Sequence, residues 1–148
     1  MNQWQYVAAP LGATLAFALI AHAATRGPYF GPPSGMPAAG RSVEIRSYNL
    51  KPGARPEFHR LASEQAVPML RRWKIDVVAY GPSPHDDTSY YLIRSYASLA
   101  DRQRSEEAFY GSDEWRNGPR EPVLALIDTY TTIVLVLDPA ALEGLRRP

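Results

Sequence analysis

The sequence predicts an α+β domain built from two consecutive strand–helix–strand units, and three stretches carry that reading. Val43–Gly53 (VEIRSYNLKPG) puts Val43, Ile45 and Ser47 on one face of an extended strand and Glu44, Arg46 and Tyr48 on the other. After it, Phe58, Leu61, Ala62, Gln65, Met69, Leu70 and Trp73 recur at three- and four-residue spacings, the buried stripe of an amphipathic helix. Further on, SYYLIRSYA at Ser89–Ala97 and TYTTIVLVL at Thr129–Leu137 read as strands with helical sequence between them. The order β-α-β, β-α-β is the ferredoxin-like split arrangement, a four-stranded antiparallel sheet with helices on one face.

Taken in order, the chain opens with an apolar leader over residues 1–25. No charged side chain precedes Arg26, and Val7–Ala24 is a run of small apolar residues broken by Pro10 and Gly12. Ala21-His22-Ala23 has the small-x-small form of a signal-peptidase site, although no Lys or Arg precedes the run. Three readings stay open: a cleaved signal over residues 1–23, which makes the protein exported or periplasmic; an uncleaved membrane anchor; and an unstructured or wrongly started leader on a cytoplasmic protein. Residues 26–40 hold Pro28, Pro32, Pro33 and Pro37 among glycines and read as a linker. The folded domain is expected over residues 41–138, followed by a tail over 139–148.

Within the domain, Lys51-Pro52-Gly53 stops the first strand, and the first helix is expected from about Ala54 to Trp73. Pro56 suits a first turn, whereas Pro68 removes an interior donor and predicts a kink or break. Ile75–Tyr80 is the second strand, and Gly81–Asp87 is a loop rich in breakers. Ser98 with Asp101 forms a capping box that opens a helix from Leu99 to about Phe109. Ser112 caps a short turn bearing Trp115, and a helical patch is expected at Val123–Ile127 before the last strand.

That last strand predicts a homodimer. Thr131, Ile133, Leu135 and Leu137 lie on one face, with Val134 and Val136 on the other. A sheet covered on one side alternates apolar with polar residues, so a strand apolar on both faces asks for two covers. The helices supply one, and a second copy of the sheet supplies the other.

Composition narrows the function. The chain has 148 residues, a net charge of +1 and no cysteine. That balance gives no field favouring nucleic acid, and a membrane partner is expected only if the leader is uncleaved. Disulfides and thiolate chemistry are excluded. No phosphate-binding glycine loop, dinucleotide fingerprint, nucleophile elbow or metal-binding helix motif is present, so neither metal nor cofactor is expected. His85-Asp86-Asp87 aligns a nitrogen and two carboxylates, but adjacent residues in a turn rarely converge on one ion.

VEIRSYNLKPG, the helix with Phe58 and Pro68, LIRSYASLADRQ at Leu92–Gln103 and SDEW at Ser112–Trp115 together resemble the NIPSNAP family. The likeness spans Arg41 to Asp138. It implies a dimeric α/β-barrel of ferredoxin-like protomers and supplies no reaction. Related barrels include cofactor-free monooxygenases, haem-degrading enzymes and dehydratases, so the fold alone does not select a chemistry.

The candidate site residues come from the strands and the first helix. His59, beside Phe58 at the edge of the buried stripe, is the candidate acid–base group, since histidine titrates near neutrality; its plainer role is structural. Arg46, Tyr48, Arg94 and Tyr96 occupy matched strand positions in the two halves and suit an anionic or phenolic ligand, or else an ion pair with Glu44 or Glu64. Trp115 is either a lid or core. A cleft between the first helix and the sheet, with His59 at its rim, is expected if the four strand residues face the helices; if they face a partner sheet they belong to the interface. Two classes of function follow: a protein binding a small apolar or aromatic molecule, with cofactor-independent oxygenation as its enzymatic form, and a non-catalytic interaction module.

Overall fold

The structure, a computed structural model, describes residues 40–146. The predicted leader, nearly all of the linker and the last two residues lie outside the described residues. β1 (Arg41–Leu50) leads through a turn into α1 (Arg55–Leu61), one π-helical turn (Ala62–Ala66) and α2 (Val67–Arg72). β2 (Asp76–Pro82) and β3 (Ser89–Tyr96) follow, then α3 (Leu99–Gly111), α4 (Asp113–Arg116), α5 (Arg120–Ala125), β4 (Ile127–Leu137) and α6 (Pro139–Leu145). The strands form one antiparallel sheet in the order β2-β3-β1-β4, the ferredoxin-like topology that the sequence predicts. Among the described residues no helix is long and apolar enough to cross a membrane.

Local chemistry accounts for the boundaries. Lys51-Pro52-Gly53-Ala54 closes with Ala54 N–H donating to the Lys51 carbonyl at 3.0 Å. Gly53 takes φ 75°, the left-handed third position that a turn of this kind reserves for glycine. Ser98 accepts from the Asp101 amide, and the Asp101 carboxylate reaches back to the Ala97 amide at 3.0 Å, one residue beyond the usual capping box. Ser112 caps α4 by accepting from Trp115 N–H. A bulge between Val77 and Ala79 in β2 resets its alternation, so Val77 and Tyr80 both pack with the helix-side core while Val78 joins the opposite face.

Three features differ from the sequence expectation. Pro68 does not end the helix: the interruption of α-helical geometry beside it is a single π turn. The proline's missing donor falls just after a π turn in which Val67 N–H bonds back five residues to Ala62, so the helix absorbs the proline and continues. The C-terminal residues, expected as a tail, form a capped helix. Asp138 caps α6, whose Leu142 is buried against Val43 and Val78 on the sheet's second face, and Arg146 pairs with Asp76 at 2.6 Å. The helices also leave β4 partly bare: Val136 on their side is 60% exposed, and Ile133 on the other is 55% exposed.

Candidate functional site

Reading across the helix-covered face, the register sets out three rows. Arg94 and Val134 flank Glu44; Leu92 and Thr132 flank Arg46; Tyr90 and Tyr130 flank Tyr48. Every second residue of β1 and β3 therefore points at the helices, and the change from charged to aromatic along those strands divides the layer into two parts.

At the charged end, Glu44 and Arg94 are both fully buried and form a direct ion pair. Arg94 also reaches Glu106 of α3 at 2.7 Å, Arg46 pairs with Glu44 at 3.0 Å, and Arg102 of α3 bonds Glu44 and reaches Glu106 at 3.1 Å. Three guanidiniums thus surround two carboxylates. Burial alone would raise the pKa of Glu44, but the guanidiniums of Arg94 and Arg46 outweigh it and hold the carboxyl well below the usual range. Glu106 is pushed up, by burial first and by Glu44 beside it. Arg46 Nε, Arg94 Nε and Thr132 Oγ1 are buried without a hydrogen-bond partner.

At the aromatic end lies a cavity of about 40 Å³ between the π turn and the sheet. Ala62, Ala66 and Val67 form its roof, Tyr48, Tyr90 and Leu92 its floor, and Tyr110 with Trp115 one wall. The π turn widens the helix at the point where two alanines replace larger side chains, so space remains that leucines would fill. Phe58 stands edge-on to Tyr90 at 4.9 Å between ring centres and packs on Tyr48 at 5.2 Å. Burial pushes Tyr48 up to about 12 and raises Tyr90 further, so both phenols stay protonated at neutral pH.

Two polar groups connect this cavity to its surroundings. The Tyr110 hydroxyl accepts from Arg46 Nη1 at 2.9 Å and from Arg94 Nη1 at 3.0 Å, so the wall of the cavity is also the edge of the charged cluster. On the other side, His59 Nδ1 lies 2.8 Å from Tyr90 Oη, and its ring stacks on Tyr80 at 6.4 Å. An exposed imidazole is thereby joined to a buried phenol on the cavity floor.

The sequence candidates fall into separate places. Arg46, Tyr48, Arg94 and Tyr96 all face the helices rather than a partner sheet. Only Tyr48 among them lines the cavity; Arg46 and Arg94 stand behind Tyr110, and Tyr96 is buried near Glu106, to which its hydroxyl lies 3.3 Å away. Trp115 is buried, packs on Phe109 and Tyr110, and lines the cavity as core. The Glu44 ion pair is made in the interior, while Glu64 pairs with Arg60 on the surface. In the His85–Asp87 loop, Asp86 accepts from the Thr88 and Ser89 amides, and Asp87 pairs with Arg55 at 3.2 Å. Sequence reasoning missed Arg102, Glu106 and Tyr110. Their signal was the four-residue spacing, which aligns them on one helix face, but a polar stripe reads as a solvated face until the strand charges opposite are known.

Comparison with known proteins is consistent with this architecture. The family model for NIPSNAP matches residues 43–141. A NIPSNAP-like domain protein of Burkholderia xenovorans superposes with a TM-score of 0.63 at 20% identity, covering 68% of this chain and 88% of that one. A NIPSNAP family protein of Agrobacterium tumefaciens gives 0.61 at 19% identity with the same coverage. A candidate antibiotic biosynthesis monooxygenase of Nitrosomonas europaea gives 0.54 at 15% identity, covering 68% of this chain and 94% of that one. No curated protein matches the sequence. These identities speak for the fold alone, but the family match takes in more than half of the chain and reaches from β1 to α6: the chain belongs to the NIPSNAP family.

Proposed function

We propose that this NIPSNAP protein is a homodimer that binds one small apolar or aromatic molecule in the cavity beneath the π turn. The observation that carries the reading is the cavity itself. An apolar, ring-lined space in an otherwise close-packed layer forgoes dispersion contacts that a ligand restores. At about 40 Å³ it takes only a few water-sized groups, so a single ring is the upper limit. A thermal-shift series of one-ring compounds on the full chain tests this. A ligand at about 100 times its Kd stabilises by about 2.7 kcal/mol and raises Tm by several degrees. A flat Tm across the series contradicts the reading.

The dimer is supported by the sheet's second face, where Ile93, Ile45 and Ile133 form one row across three strands and α6 covers only the end near Val43. Apolar surface of that kind contributes about 25 cal/mol per Å² when removed from water. Light scattering on the wild type should give twice the protomer mass, and Leu135→Asp should give the protomer. A wild-type monomer at micromolar concentration rules the dimer out.

One observation favours a second, enzymatic reading, a cofactor-independent monooxygenase. His59 bonded to Tyr90 places a base one hydrogen bond from the cavity, which is the group such chemistry needs to deprotonate an acidic substrate. Oxygen uptake with an acidic phenol that His59→Ala abolishes, at unchanged binding, separates this reading from binding alone.

A further inference from the structure

The cavity lies at the aromatic end of a layer whose other end is charged, and that neighbour bears on its ligand. We propose, resting on the cavity as the binding site, that the molecule it takes carries one anionic oxygen on a small apolar frame, and that the oxygen is drawn toward Tyr110 by Arg46, Arg94 and Arg102.

Charge is the first argument. Behind Tyr110, three guanidiniums face two carboxylates, Glu44 and Glu106, and no other carboxylate among the described residues pairs with those arginines. The cluster is cationic even with both carboxyls ionised, and Arg46 and Arg94 are all but excluded from solvent. Uncompensated positive charge in a low-dielectric layer is costly to hold and projects a field into adjacent dry space.

Hydrogen bonding is the second argument. Arg46 and Arg94 each keep a buried Nε–H with no acceptor, although guanidinium donors are seldom left unused. The cluster thus has donors in surplus as well as charge. Tyr110 also stands between the cluster and the cavity. The Tyr110 hydroxyl accepts from both arginines, and the Tyr110 ring lies 5.7 Å from the Arg46 guanidinium carbon and 5.8 Å from that of Arg94. The same ring lines the cavity, so a ligand against it is separated from the surplus charge by that one ring. Of the remaining lining, Phe58, Ala62, Val67 and Leu70 offer only apolar contact, and Tyr48, Tyr80 and Tyr90 add aromatic rings. A neutral hydrocarbon would satisfy those walls and leave the cluster uncompensated; a phenolate, enolate or carboxylate on a single ring serves both ends.

The test uses fluorobenzene and 4-fluorophenol, near-isosteric rings followed by fluorine NMR on the full chain. Affinities are measured with the phenol neutral and ionised, and the ionisation of the bound phenol is titrated through its fluorine shift. The expected result is that the phenolate binds about tenfold more tightly than the neutral phenol, which lowers the bound ligand's pKa by about one unit. Arg102→Gln, at the least buried of the three arginines, should shrink that shift while fluorobenzene binds as before. Should that variant fail to fold, the wild-type titration decides alone. Binding of both probes with equal affinity and an unshifted titration overturns the anionic ligand and leaves the cavity reading intact. Binding of neither overturns the cavity reading itself.

Discussion

The two ends of the helix-covered face rest on the same pair of strands and meet the demands of burial in opposite ways. Under α3, Glu44 and Arg94 are sealed with Arg46 and Glu106, each geometry fixed by a partner within hydrogen-bond reach. Under the π turn, Tyr48, Tyr90 and Leu92 meet alanines, and space is left over. Buried charges tolerate almost no displacement, because losing a partner leaves a charge without compensation. Apolar rings tolerate more, because their contacts are individually weak and undirected. One end therefore fixes the register of α3 on the sheet, and the other retains the freedom a binding site needs.

Breaking the charged end should have the largest effect. Arg94→Met leaves Glu44 buried with fewer partners and is expected to cost about 3–5 kcal/mol, read from urea unfolding. The same end should govern acid stability. Glu44 titrates lower in the fold than in the unfolded chain, so its contribution is complete above an unfolded value of about 4.3 and drains away as the pH falls below it. Glu106, raised by burial, works in the opposite sense: its contribution is present at low pH and lost as the pH rises through its elevated folded value. Glu44→Gln should therefore flatten the acid limb of stability, and an unchanged acid limb would remove Glu44 from its cause.

Sharpening the aromatic end should give a smaller effect of the opposite sign. Ala66→Leu adds three carbons where there is space to receive them and is expected to stabilise by about 1 kcal/mol. A loss of stability would show that the roof of the cavity is already closely packed. The pairing of a destabilising change at one end with a stabilising change at the other distinguishes a fixed cluster from an unfilled site.

The fold was legible because its signals are local. Alternation along Val43–Leu50, the Lys51-Pro52-Gly53 turn and the Ser98 and Ser112 caps each state their structure within a few residues. Alternation also grouped Arg46 with Tyr48 and set Val43 and Ile45 against them. It did not say which layer would cover the pair, and the structure places the helices there. The rest depends on contacts between distant elements. Arg102, Glu106 and Tyr110 gain meaning only opposite Glu44 and Arg94, and Pro68 announced an irregularity without showing that a π turn would absorb it. The cavity is a property of packing, and no single stretch of sequence encodes a space.

The central claim is that a small molecule occupies the space beneath Ala62 and Ala66. Alanine-methyl NMR on the full chain, with and without fluorobenzene, tests it most directly. The account predicts that the Ala62 and Ala66 methyls move on titration while Ala97, outside the cavity, does not, and that Ala66→Leu abolishes the shift at Ala62. Titration that moves Ala79 on the sheet's second face and leaves Ala62 and Ala66 unmoved would contradict it.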